Sequence, residues 1–135
     1  MKNALILALG IGAALLGRSA SGHTAAATPR CFELRTYTVA PGKFEALERR
    51  FQDHAIGLFK KHGVAVVGFW VPIDRPNTLV YMLGHPTCDA AAPAWKAFFE
   101  DPAWIAARDA SEKDGPLVTK VDKQFMNATE YSPLK

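Results

Sequence analysis

The chain carries no large excess of charge of either sign: 16 Lys and Arg stand against 13 Asp and Glu, a formal balance of +3 over 135 residues. Two of those cations, Lys2 and Arg18, lie in the first 27 residues, so the remainder holds 14 against 13. A balance that small, without a basic cluster, argues against nucleic acid or an anionic membrane surface as the main partner. Metal-ligand spacing is absent too. The four histidines form no His-x-His pair, no carboxylate cluster accompanies them, and no metal site is indicated. A glycine-rich phosphate loop, a catalytic-triad signature and an internal repeat are also missing, and no cofactor is implied. Long apolar runs are limited to one, Ala4 to Leu16, which at 13 residues falls short of the roughly 20 needed to span a bilayer and predicts no stable membrane anchor. With only two cysteines, a single disulfide is the most the chain can form.

That one apolar run follows a basic Lys2 and precedes "ASGHTAAATP", whose small residues offer cleavage sites after Gly22, Ala26 or Ala27. The pattern is that of a signal peptide. A mitochondrial presequence would be Arg-rich and amphipathic, whereas this segment has a single Arg18 and a continuous apolar block. Residues 1–27 are therefore read as a signal peptide, 28–31 as a short linker and 32–133 as one domain, exported to a periplasm or secreted. Roughly 105 residues support a modest core, to which burial against a partner would add.

Within the domain, "CFELRTYTVAPG" alternates as a strand and closes on a Pro-Gly turn, with Phe32 and Leu34 on one face and Glu33, Arg35 and Tyr37 on the other. "KFEALERRFQDHAIGLFKKHG" has Phe44, Leu47, Phe51, Ala55 and Leu58 at helical spacing and ends on Gly63. "VAVVGFWV" and "TLVYMLGH" flank the turn "PIDRPN"; a symmetric hairpin would set Trp70 opposite Tyr81 and Val66 opposite His85. Two short helices follow, the second opening on Asp101 as N-cap and Pro102 as first residue, while Pro93 is expected to shorten or kink the first. "PLVTKVDKQFMNATEY" alternates as a half-exposed last strand. The order βαββααβ predicts an α+β, ferredoxin-like antiparallel sheet of strand order 4-1-3-2. Its second strand is apolar on both faces, so the face away from the helices needs a cover, and a second copy of the chain is the simplest one.

"FELRTYTVAPGKFEALERRFQDH", "HGVAVVGFW", "AWKAFFEDPAW" and "SEKDGPL" together resemble the NIPSNAP family, a branch of the dimeric α+β barrel superfamily. The resemblance implies a homodimer whose sheets pack face to face with helices outside. It implies little chemistry, because a fold does not determine a function. Relatives in the superfamily include cofactor-free monooxygenases, small-ring isomerases and haem-degrading enzymes.

In such a fold the natural cavity lies between sheet and helices, where Trp70, Tyr81, Trp95 and Trp104 are expected, with Phe98 and Phe99 beside them. Trp95, Phe98 and Phe99 at helical spacing equally suit a packed core. Trp104 has Arg108 and Ser111 as helical neighbours, so its face meets either solvent or a cavity to which Arg108 supplies hydrogen bonds. Leu47, Phe51, His54 and Leu58 fall on one stripe, which turns the His54 imidazole inward, as a satisfied buried histidine or as a base or haem ligand. His62 suits the dipole at a helix C-terminus. Glu33 and Arg35, on one strand face, are expected to pair with each other at a dimer interface or to lie along a sheet edge. In the 4-1-3-2 order the start of the first strand lies beside the end of the third, so Cys31 and Cys88 are placed to bridge in an oxidising compartment; in a reducing one Cys88 would be a thiol of lowered pKa near a helix N-terminus. The first expectation for function is an exported homodimer binding a small apolar or aromatic ligand, as a binding or accessory protein with no established catalysis. The alternative is a cofactor-free monooxygenase, an isomerase or a haem-handling enzyme that uses His54.

Overall fold

The computed structural model describes residues 31–135; the segment read above as a signal peptide and residues 28–30 of the expected linker lie outside the described residues. Four antiparallel strands, β1 (Cys31–Val39), β2 (Ala65–Trp70), β3 (Thr78–His85) and β4 (Val118–Met126), form one sheet in the order β2-β3-β1-β4. That is the expected ferredoxin-like order. The helices α1 (Phe44–Arg50), α2 (Ile56–Lys61), α3 (Ala91–Glu100) and α4 (Pro102–Ser111) supply the rest of the α+β fold.

A π-helical turn over Phe51–Ala55 joins α1 to α2. It buries Phe51 and Ala55 and leaves His54 exposed, which corrects the inward imidazole read from helical spacing. The physical cause is the wider i→i+5 turn. It keeps the residue four positions after Phe51 on the buried face and carries the residue three positions after it off that face. The end of α2 follows local rules: Gly63 takes φ 72°, its N–H reaches the Lys60 carbonyl, and the Val64 N–H reaches the Phe59 carbonyl at 2.9 Å. This double closure is a Schellman motif, and it delivers buried Val64 to the core beneath Phe59.

The β2–β3 hairpin departs from the symmetric register. Phe69 pairs with Tyr81, Trp70 with Val80 and Val66 with Leu83: the loop joining the two strands shifts the register by one residue, and a bulge between Val66 and Gly68 shifts it by one more. A one-residue shift exchanges faces. Phe69 therefore stacks on Tyr81 on the helix side, with ring centroids 5.4 Å apart, and Trp70 moves to the opposite face, where it is 51 % exposed. There its indole folds back over Gly68; a Cβ at that position would lie 2.8 Å from the ring.

Pro93 occupies the third position of a ten-residue α3, within the first turn, where the backbone N–H has no intrahelical partner to lose. It does not shorten the helix. Asp101 caps α4 through the Ala103 N–H at 2.9 Å, with Pro102 next, as expected. The same carboxylate accepts from Lys61 Nζ at 2.6 Å and His62 Nε2 at 2.8 Å, so it ties the end of α2 to the start of α4. His62 thus has a side-chain partner as well as a place at a helix terminus. Cys31 and Cys88 are joined, with Cα atoms 5.1 Å apart, because Cys31 pairs with His85 and Cys88 follows three residues later. β4 is exposed along nearly its whole length rather than half-buried; Val121 and Phe125, on the face the helices cover elsewhere, are each 45 % exposed.

Candidate functional site

The alternation of β1 sends Glu33, Arg35 and Tyr37 under the helices, and Phe32, Leu34 and Thr36 to the face that no helix covers. The ion pair expected at a dimer interface or sheet edge is therefore part of the interior. Glu33, 0 % exposed, accepts from Arg35 at 2.9 Å on one oxygen and from His85 Nε2 at 2.8 Å and Trp95 Nε1 at 2.7 Å on the other. Three donors satisfy one buried carboxylate, which is the condition under which such a charge is tolerated in an interior. The Arg35 guanidinium also lies 4.1 Å from the Trp95 ring centroid. Burial by itself would raise the Glu33 pKa, but the hydrogen bonds from His85 and Trp95 and the Arg35 charge outweigh it and hold the carboxyl below its usual value. A carboxylate so engaged is a poor proton acceptor.

Next to this cluster, Tyr81 donates to the Tyr37 hydroxyl at 2.7 Å. Burial, together with the neighbouring Tyr37, pushes the Tyr81 phenol well above its ordinary range, so it stays protonated at any working pH. Above the pair lies a cavity of about 50 Å³ between sheet and helices. Its wall is almost wholly aromatic: Tyr37, Tyr81, Trp95, Phe99 and Trp104 contribute, and Arg50 is its one cation. Arg50 is 7 % exposed, its Nη1 donating to Glu112 at 2.7 Å and Ser111 at 3.2 Å, and its guanidinium lies 5.2 Å from the Trp104 ring centroid. Arg50 Nε and Trp104 Nε1 are both buried and find no acceptor among the described residues, as is Arg35 Nε.

Of the side chains expected to line the cavity, Tyr81, Trp95 and Trp104 do so. Trp70 lies on the far side of the sheet for the reason of register given above. His54 borders a separate open groove with Arg49, Asp53 and Ala107. Arg108 turns to its neighbour Asp109, at 2.9 and 3.0 Å, and supplies nothing to Trp104. The core reading holds for Phe98, which is buried, and fails for Phe99, which is 48 % exposed. Sequence reasoning missed Arg50, Tyr37 and the burial of His85. The signal for Arg50 was its place three residues after Leu47 on the apolar stripe. His85 was placed only loosely, although Cys31, its partner in β1, is assigned by the same strand order that brings the cysteines together. Among the described residues no three His, Cys, Asp or Glu side chains converge as a metal site would require.

A model of the NIPSNAP family matches residues 32–133. Among solved structures, a NIPSNAP family protein of unknown function from Agrobacterium tumefaciens is similar at 24 % identity and a TM-score of 0.68, over 79 % of this chain and 95 % of that one. A NIPSNAP-like domain protein from Burkholderia xenovorans gives 18 % identity and a TM-score of 0.67, over 78 % and 90 %. SnoaB, a cofactor-independent oxygenase from Streptomyces nogalater, shares the fold at 18 % identity and a TM-score of 0.54, over 78 % and 99 %. No curated protein matches the chain.

Proposed function

The chain belongs to the NIPSNAP family, and from that premise we propose that it is an exported homodimer that binds a small apolar or aromatic ligand between its sheet and its helices, without catalysing a reaction. The observation that carries this reading is the aromatic cavity, whose wall offers rings and N–H donors but no base. At about 50 Å³ the cavity admits only the leading atoms of a ligand. Entry of the rest displaces Phe99, whose half-exposed ring stacks on Trp95 with centroids 5.2 Å apart. A base-dependent enzyme would need a proton acceptor there. His54 lies outside the cavity and Glu33 is saturated with donors, so the alternative built on His54 loses the residue it rested on.

The dimer in this reading forms on the sheet face opposite the helices, where Leu34, Val80 and Met82 are half-buried and Trp70 is exposed in the single chain. Placing a cation at its centre, Met82→Arg, is expected to shift the protein from dimer to monomer in sedimentation at micromolar concentration, since two unpaired charges would be buried face to face. A variant that stays dimeric would move the interface elsewhere. Export is supported by the basic start and 13-residue apolar run of the N-terminal segment.

The direct test is a native mass spectrum of the protein purified from the cells that export it, with no ligand added. A processed dimer carrying a reproducible small extra mass, absent from the Trp104→Ala variant, is the expected result. Bare polypeptide mass, together with no uptake from a panel of small aromatics, would overturn the binding reading.

A further inference from the structure

Two residues of the cavity wall, Arg50 on α1 and Trp104 on α4, each carry a buried N–H without an acceptor, Nε and Nε1, and the guanidinium lies 5.2 Å from the indole centroid. A buried N–H without an acceptor is costly, and a ligand that enters beside them can supply one. Resting on the pocket reading above, we infer that this polar end of the cavity receives the carbonyl oxygen of a small neutral aromatic ligand, an aryl ketone or aldehyde. A carbonyl oxygen has two lone pairs for two donors. Charge decides against a carboxylate. Arg50 already has Glu112 at 2.7 Å, and nearby Arg35 already has Glu33 at 2.9 Å, so each local cation is matched. An added anion would be buried without a counter-charge. The rest of the wall agrees as well: it includes the rings of Tyr37, Trp95 and Phe99, which suit the faces of a flat ligand.

The test uses acetophenone, ethylbenzene and benzoate as probes on the purified dimer, read by titration calorimetry and by the indole N–H resonances in NMR. Acetophenone and ethylbenzene have nearly the same size and differ in the carbonyl. Acetophenone is expected to bind about tenfold more tightly than ethylbenzene and to move the Trp104 indole proton downfield, and benzoate is expected to bind more weakly than the ketone. Trp104→Phe, which removes the indole N–H, and Arg50→Lys, which removes Nε–H and keeps the charge, should each bring the ratio of ketone to hydrocarbon affinity toward one, whatever they do to either affinity alone. Equal binding of ketone and hydrocarbon would overturn the inference and leave water as the acceptor while the pocket reading survives. Tighter binding of benzoate would overturn the choice of a neutral ligand. Binding of none of the three would overturn the pocket reading and the inference together.

Discussion

Replacing Cys31 and Cys88 together by alanine is expected to lower the unfolding free energy by roughly 4 kcal/mol, the loop-entropy value for a closure of this length. The bridge spans 57 positions and encloses β1, α1, α2, β2 and β3, so the reduced unfolded chain regains a large loop. Cys31 is 1 % exposed and small, and alanine in its place leaves little void. For a domain near 100 residues each 1 kcal/mol moves the melting temperature by about 4–8 °C, so the variant should melt well over 10 °C lower. Denaturant titration of the double variant, and of the native protein with and without reductant, measures the effect. Agreement between the reduced protein and the variant assigns it to the bond. A loss below about 1 kcal/mol would show that the unfolded chain is already held compact without it.

Glu33→Ala is expected to be of similar size, about 3–5 kcal/mol, because it leaves Arg35 as a buried cation without its partner and strips His85 and Trp95 of their acceptor. Glu33→Gln should fall between the alanine variant and the native protein, since an amide keeps one acceptor oxygen and turns an NH₂ group toward donors. The carboxyl also shapes the pH dependence. Its pKa is lower in the folded state than its ordinary value of 4.5, so the folded state binds this proton less readily than the unfolded one. The contribution of Glu33 is complete above the unfolded value and is lost as pH falls below about 4.5 toward the lower folded value. Asp101, whose carboxyl is held down by Lys61, His62 and the Ala103 N–H, acts in the same direction. Stability measured between pH 3 and 7 should therefore fall on the acid side in the native protein and fall less steeply in Glu33→Gln. An unchanged acid slope would remove Glu33 from the account.

Much of the fold was legible because its signals are local. The order of elements followed from turn residues and periodicity, the close of α2 from Gly63, and the start of α4 from Asp101 and Pro102, each of which acts through backbone groups a few residues away. The alternation of β1 was equally plain, but not which face would meet the helices. The polar side chains went inward, against the simplest reading, because Glu33 finds its donors on β3 and α3, more than 50 positions along the chain. The site was less legible still. Tyr81, Trp95 and Trp104 were foreseeable as large aromatics on elements that had to pack, whereas the place of Arg50 on the apolar stripe shows its burial but not its partners, Trp104 and Glu112, which only the fold brings beside it.

The strands, the helices and their stops follow from the order of residues alone, since these rest on interactions between neighbours in the chain. Packing between distant segments set the placement of single residues: one in the π turn that puts His54 in solvent, one in the β2–β3 loop, whose one-residue shift sends Trp70 to the far face. Either choice changes few local hydrogen bonds, so local preference barely discriminates between registers. What discriminates is packing across the layers, where Phe51 of the π turn meets Phe69 and Tyr81 of the sheet with ring centroids 5.2 to 5.4 Å apart, and the observed register puts both strand residues on the helix side.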